Sequence, residues 1–129
     1  MQRVRSQGKG SQSKKPRIWL ARANSDRSFG AVFEDDGKAG NFYLCSMNPM
    51  EIITHIEIYQ VADLPLPIKE EHIQIYWAEH GQRAAMSIRG WPLAAFDIPS
   101  RNGWLLPELP EDASEKQRED ALLDALAAE

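Results

Sequence analysis

The stretch AVFEDDGKAGNFYLC, Ala31 to Cys45, shows the fold more clearly than any other part of the chain. Phe29, Ala31 and Phe33 stand at alternate positions before an Asp-Asp-Gly sequence, and Phe42 and Leu44 do so after it, which is typical of two strands joined by a tight hairpin turn. Gly37, with Gly40 as a second candidate, can supply positive φ at the turn. The stretch therefore predicts a hairpin in which Phe33 and Phe42 form a cross-strand pair.

The three consecutive carboxylates of this stretch, residues 34–36, also raise the question of a metal or phosphate site. Calcium loops place their oxygen ligands at alternating positions and close with a glutamate, whereas these carboxylates are consecutive. Phosphate-binding loops lead into a helix, whereas Lys38 is followed by a strand-like run. The hairpin is favoured, and cation binding by Asp35 and Asp36 is the remaining alternative.

Further strands are indicated by side chains that alternate with a period of two in residues 51–61, 72–79 and 83–90. The first of these segments has one apolar face and one mixed face. The apolar face carries Ile52, Thr54, Ile56 and Ile58, and the mixed face carries Ile53, His55, Glu57, Tyr59 and Val61.

We expect the second and third segments to form a hairpin with Gly81 at the turn, because this pairing places all their inward residues on one face. Gly90 supplies the next turn. The expected pairs are Trp77 with Ala84, Ile75 with Met86, and Ile73 with Ile88.

The remaining segments frame this sheet. Residues 17–23 are a first strand or a loose arm, and residues 62–71 form a loop because prolines cannot donate to a central ladder. Beyond residue 111 the period changes to that of a helix of about 12–15 residues. Asp112 or Ser114 caps this helix, and three leucines, Leu122, Leu123 and Leu126, share its apolar face, which we expect to dock on the sheet.

The predicted fold class is therefore α+β, an antiparallel β-meander sheet of about six strands with a C-terminal α-helix. A chain of 129 residues suits one domain, which we expect to span residues 17–129 after a disordered basic tail at 1–16. Residues 1–27 carry a net charge of +7 and the remainder −11, so nucleic-acid binding is expected only weakly, through the tail.

Composition favours a cytoplasmic protein. Apolar residues make up 43 % and charged residues 26 %, as in ordinary soluble proteins. No run approaches the ~18 apolar residues that span a bilayer, and the polar N-terminus lacks the apolar core of a signal peptide. The single cysteine excludes an internal disulfide and fits a reducing compartment.

Candidate binding residues follow from the expected pairing of residues 51–61 with residues 72–79. If Val61 lies opposite His72, the outward side chains form one polar and aromatic face. We expect a protein partner to bind this face through Tyr59, His72, Tyr76 and Arg89, or to bind the leucine face of the terminal helix instead.

Two other functions are weighed against this one. Trp77, Trp91 and Trp104 could line a groove for a small ligand, although tryptophans in a small sheet usually belong to its core or edge. His55 and Glu57 could act as an acid–base pair, but residues two apart on a strand are also ordinary outward neighbours. We expect no catalytic residue, no metal and no cofactor, and hence no enzyme. The oligomeric state stays open.

Residues 29–107 resemble the bacterial domain of unknown function 2251 family. The resemblance rests on a Phe-Glu-Asp-Asp-Gly and Gly-x-Phe-Tyr hairpin, an Ile-Tyr-x-Val-x-Asp segment, a Trp-containing strand with a Gly turn, and an Ala-x-Phe-Asp segment. The matching positions are Phe33 to Gly37, Gly40, Phe42, Tyr43, Ile58, Tyr59, Val61, Asp63, Trp77, Gly81, Gly90, Pro92, Phe96 and Asp97. The resemblance implies a compact β-rich domain and a bacterial cytoplasmic setting, and it carries over no activity, cofactor or catalytic residue.

Overall fold

Two four-stranded antiparallel sheets pack face to face in the computed structural model, which describes residues 16–127. The strands of each sheet follow one another in chain order. The elements are β1 (Ile18–Ala23), β2 (Phe29–Asp35), β3 (Ala39–Met47), β4 (Met50–Gln60), β5 (Ile73–Trp77), β6 (Arg83–Ile88), β7 (Trp91–Asp97), β8 (Asn102–Leu105) and α1 (Glu115–Leu126).

The predicted α+β class is confirmed, but the prediction of one sheet with about six strands is corrected to eight strands in two sheets. The division falls at residues 61–72, where the chain leaves β4 and enters the second sheet at β5. Pro65 and Pro67 lie in this connection, as do two short 3-10 turns, so it cannot continue the meander as a tight hairpin. Two half-apolar sheets then bury their faces against each other.

The main core lies between the sheets. Phe42 of β3 stacks on Phe96 of β7 with ring centroids 4.7 Å apart, and both side chains are fully buried. Phe33, Leu44 and Met86 are also among the largest side chains that are fully buried. Ile68 of the 61–72 connection is also buried in this core, so the connection closes one end of the sandwich.

The β2–β3 hairpin forms as the opening stretch predicts. Phe33 pairs with Phe42, and Gly37 has a φ of 94°. The Asp36 carboxylate accepts hydrogen bonds from the amides of Lys38 and Ala39, which is why an aspartate favours this turn.

The second sheet confirms the predicted register. Trp77 pairs with Ala84 and Ile75 with Met86, and the turn residues Gly81 and Gly90 have φ values of 72° and 84°. The strand β8, which pairs with β7, is not predicted by the sequence, because prolines follow it closely and indicate an extended segment.

Two β-bulges interrupt β4, one at each end. Register shifts leave Ile53 and Ile58 without a partner on β3, while residues 54–57 keep the predicted alternation. Each bulge reverses the side-chain directions beyond it, because the extra residue adds half a pleat period. Ile52 therefore points away from the core, and Tyr59 points into it, the opposite of the sequence prediction.

The terminal helix α1 docks on the outer side of the second sheet. Ser114, one of the two predicted caps, accepts a hydrogen bond from the Gln117 amide through its side chain. Leu122 and Leu126 pack with Ala85 and Ala95 of the sheet, whereas Leu123 stays 58 % exposed.

Arginines hold this docked position at both ends of α1. Arg83 donates to the carbonyl oxygen of Ala127 at 2.7 Å and lies over the Trp104 ring. Arg118 lies over the Trp91 ring. Within residues 16–127 no helix is long and apolar enough to cross a membrane. The predicted basic tail, residues 1–16, lies outside the described residues except for Pro16.

Candidate interaction surface

A buried carboxylate anchors the edge of the first sheet. Asp35 is fully buried at the end of β2 and accepts four hydrogen bonds. Arg17 donates through Nη2 at 2.5 Å and Nε at 3.3 Å, the Tyr59 hydroxyl at 2.5 Å, and the Gly37 amide at 2.7 Å. A carboxylate has about four acceptor sites, so these bonds saturate Asp35.

Electrostatics keep this cluster in one protonation state at neutral pH. Burial by itself raises the pKa of Asp35, but hydrogen bonds from Arg17, Tyr59 and the Gly37 amide outweigh it, and the pKa lies below its usual range. Burial and the neighbouring Asp35 carboxylate raise the pKa of Tyr59. Asp35 is therefore charged and Tyr59 is a neutral donor, and the cluster fixes the start of β1.

Gly40 makes the contact between Tyr59 and Asp35 geometrically feasible. Asp35, Gly40 and Tyr59 lie side by side on β2, β3 and β4, so the Tyr59 ring must cross over Gly40 to reach the carboxylate. A Cβ atom on Gly40 would lie 2.5 Å from Cζ of Tyr59 and 2.7 Å from Cζ of Phe33. Glycine is needed here for space and not for a special φ.

The opposite side of this sheet is the outer face, formed by the side chains of β1–β4 that point away from the core. Three of its apolar side chains are at least half exposed: Trp19 at 50 %, Met50 at 57 % and Ile52 at 64 %. The outward residues are Trp19, Ala21, Ala23, Gly30, Val32, Glu34, Ala39, Asn41, Tyr43, Cys45, Met47, Met50, Ile52, His55, Glu57 and Gln60.

Tyr43 occupies the middle of the outer face and joins its polar and apolar parts. Its hydroxyl donates to Glu34 at 3.3 Å, and its ring lies 5.6 Å from that of His55. Burial first, and the Glu34 charge second, raise the pKa of Tyr43 to about 12. Cys45 lies below this surface, and burial raises the pKa of its thiol, so the thiol is protonated at neutral pH.

The two sheets differ in what lies against their outer sides. Helix α1 packs on β6 and β7 of the second sheet, where Ala85 and Ala95 are fully buried. On the outer face of the first sheet, Trp19, Met50 and Ile52 keep half or more of their surface exposed within the described chain. The outer face is therefore the sheet surface that offers apolar contact area to another molecule.

The predicted binding residues are not brought together as one face, because β4 and β5 belong to different sheets and the pairing of Val61 with His72 does not form. Tyr59 is turned inward to Asp35. His72 and Arg89 are neighbours, linked by a bond from the Arg89 amide to the His72 carbonyl oxygen at 2.7 Å. Tyr76 lies on β5 and donates to Gln74.

The three tryptophans of the predicted ligand groove each have a separate protein contact. Trp77 donates from Nε1 to the Arg22 carbonyl oxygen at 2.9 Å and so bridges the two sheets. Trp91 lies under Arg118, and Trp104 lies under Arg83. Among residues 16–127, no three His, Cys, Asp or Glu side chains come together as metal ligands would.

Sequence reasoning misses Trp19, Met50 and Ile52 as surface residues. Strict alternation places Ile52 with the buried isoleucines, and only the bulge at Ile53 turns it outward. For Trp19, the sequence indicates a candidate strand at residues 17–23. It does not indicate which face of that strand is buried.

The fold and this surface define the chain as a small β-sandwich with a helix on one sheet and an open outer face on the other. A protein-family model described as an uncharacterized protein conserved in bacteria (DUF2251) matches residues 14–129, and the chain belongs to that family. The predicted resemblance is confirmed, and the match also includes the terminal helix.

A curated relative supports this assignment. An uncharacterized protein of Haemophilus influenzae is 32 % identical over 85 residues, which cover 64 % of this chain and 53 % of the relative. The chain thus spans about half the length of that relative. No solved structure matches the chain significantly.

Proposed function

We propose that the chain is a non-catalytic protein-interaction module that binds a different protein through the outer face of the first sheet. One observation carries the proposal: Trp19, Met50 and Ile52 are exposed by half or more on the same sheet face. Tryptophan is a typical anchor of protein interfaces and methionine is enriched in them, and burying these side chains together with Ile52 in a complex removes apolar surface from water.

A different protein is favoured over a second copy of this chain by the charge of the outer face. Glu34 and Glu57 lie on the same row of the sheet, on either side of Asn41. Face-to-face pairing of two copies would bring carboxylates of both copies into one interface, and like charges in an interface are unfavourable.

The absence of catalysis is part of the proposal. The Asp35 carboxylate has its acceptor sites filled by Arg17, Tyr59 and Gly37. The raised pKa of the Cys45 thiol disfavours the thiolate that nucleophilic catalysis requires. The single cysteine also favours a cytoplasmic setting. A small-ligand groove draws less support, because Trp77, Trp91 and Trp104 each have a protein contact.

The experiment compares two variants matched in exposure. Ile52 and Leu66 are 64 % and 65 % exposed, but only Ile52 lies on the outer face. Tagged wild-type, Ile52→Asp and Leu66→Asp chains are used to capture proteins from bacterial extract. Each captured protein is then purified and titrated against the same three chains.

A protein that binds the wild type and Leu66→Asp at least about tenfold more tightly than Ile52→Asp supports the proposal. Circular dichroism of each variant controls for folding. If every captured protein binds Ile52→Asp as well as the wild type, or if no captured protein binds after purification, the outer face is not an interaction surface.

A further inference from the structure

The outer face has a charge pattern that restricts the chemistry of its partner. Its two acidic side chains, Glu34 and Glu57, lie in a row that begins at the exposed Trp19 on β1. The outward-pointing residues of β1–β4 include no lysine and no arginine, and one histidine, His55. The face therefore combines apolar area with negative charge.

We propose, on the basis of the function proposed above, that the partner presents a segment in which lysine or arginine side chains alternate with apolar ones. The apolar side chains would cover Trp19 and Ile52, and a cationic one would lie beside Glu57. Residues 16–127 carry 10 basic and 18 acidic residues, so the field of the whole domain also attracts a cationic segment.

The two kinds of contact have different measurable effects. Exposed ion pairs are weak and are screened by salt, so loss of the Glu57 charge should weaken binding by about two- to fivefold and reduce its salt dependence. Burial of the exposed Ile52 side chain removes more apolar surface from water, so Ile52→Asp should weaken binding at least about tenfold. The charges thus contribute mainly to specificity for the partner, whereas the apolar contacts contribute most of the affinity.

Defined peptides test this inference with the full chain. Three fluorescent twelve-residue peptides are used as probes: alternating Leu and Lys, alternating Leu and Glu, and alternating Ser and Lys. Binding is measured by fluorescence anisotropy at two salt concentrations. The binding site is located from the indole N–H signals of the four tryptophans in the nitrogen-15-labelled chain.

We expect only the Leu–Lys peptide to bind. Its binding should shift the indole signal of Trp19, whereas the signal of Trp77, whose indole N–H donates to the Arg22 carbonyl oxygen, should stay unchanged. Glu57→Gln should reduce its affinity two- to fivefold, whereas Glu119→Gln, an exposed control on α1, should not. Ile52→Asp should weaken binding at least about tenfold, whereas Leu66→Asp should leave it unchanged.

Other results separate the two proposals. If the Leu–Lys and Leu–Glu peptides bind equally and both require Ile52, the interaction surface stands and the cationic partner is wrong. If the Ser–Lys peptide binds as well as Leu–Lys, the peptide binds by charge alone and the inference is overturned. If the Trp19 signal does not change on binding, the peptide binds elsewhere on the chain and the inference is likewise overturned. If binding appears only after residues 1–15, with five basic residues, are removed, this segment of the chain competes for the face and a foreign partner is not needed.

Discussion

The hydroxyl of Tyr59 donates a 2.5 Å hydrogen bond to the buried carboxylate of Asp35, although the two residues lie on strands separated by β3. The bond ties β4 to β2, and the bonds from Arg17 to the same carboxylate fix the start of β1. Since β1 carries Trp19, this cluster on the inner side of the sheet positions a residue of the outer face.

Gly40→Ala tests the close approach of Tyr59. The new methyl group would lie 2.5 Å from Cζ of Tyr59, so we expect the free energy of unfolding to fall by about 1–3 kcal/mol in a urea titration. Gly30→Ala is the matched control, because its methyl group would meet mainly the flexible end of Met47 and should cost less. Equal stability of Gly40→Ala and the wild type would contradict this account.

Asp35→Asn should lower stability at neutral pH and make stability less dependent on pH. The folded-state pKa of Asp35 is lowered, so its contribution is present above the unfolded pKa of about 3.9 and is lost as the pH falls through the folded value. We expect a loss of about 1–3 kcal/mol at pH 7, since Arg17 is partly exposed, and a smaller difference at pH 2–3.

Urea unfolding at a series of pH values measures this difference, with the exposed Asp112→Asn as control. A difference between wild type and Asp35→Asn that grows as the pH falls would show that the sign is wrong.

Tyr59→Phe removes one donor to Asp35 and keeps the ring. A hydrogen bond to a charged group contributes about 1.5–3 kcal/mol, and we expect a loss in that range. In a double-mutant cycle with Asp35→Asn the two losses should not add, because both act on the same bond. Strict additivity would mean that the hydroxyl and the carboxylate do not interact in solution.

Arg83→Gln should loosen helix α1. Arg83 bonds to Asp97 at 2.9 Å and to the carbonyl oxygen of Ala127 at 2.7 Å, so its loss leaves the end of the helix without this contact. We expect faster amide hydrogen exchange in α1 and a stability loss of about 1–3 kcal/mol. Lys116→Ala, which removes an exposed ion pair on the same helix, should change stability by less than about 0.5 kcal/mol.

The Cys45 thiol should react slowly in the folded protein. It is 4 % exposed and burial raises its pKa, so little of it is thiolate at pH 8. We expect its reaction with an aromatic disulfide reagent to be at least about tenfold slower than in urea. A native rate equal to the unfolded rate would mean that the outer face opens readily around Cys45.

The sequence alone determined the features that depend on neighbouring residues. Gly37 and the carboxylates before it define the β2–β3 turn, inward matching defines the β5–β6 register, and a cap at Asp112 or Ser114, which the structure places at Ser114, begins α1. These features follow from local φ preferences, side-chain to backbone bonds and the period of two, all of which can be read within about ten residues.

The tertiary structure decided the features that depend on distant contacts. The bulges at Ile53 and Ile58 turn Ile52 outward and Tyr59 inward. At Ile58 the side chain that is turned inward, Tyr59, meets Asp35, 24 residues earlier in the chain, across Gly40. No periodicity marks a bulge that is stabilised by such a partner. The division into two sheets is decided in the same way, since Phe42 and Phe96 come into contact only when the sheets close on each other. The interaction surface proposed here therefore follows from the fold and not from the strand pattern.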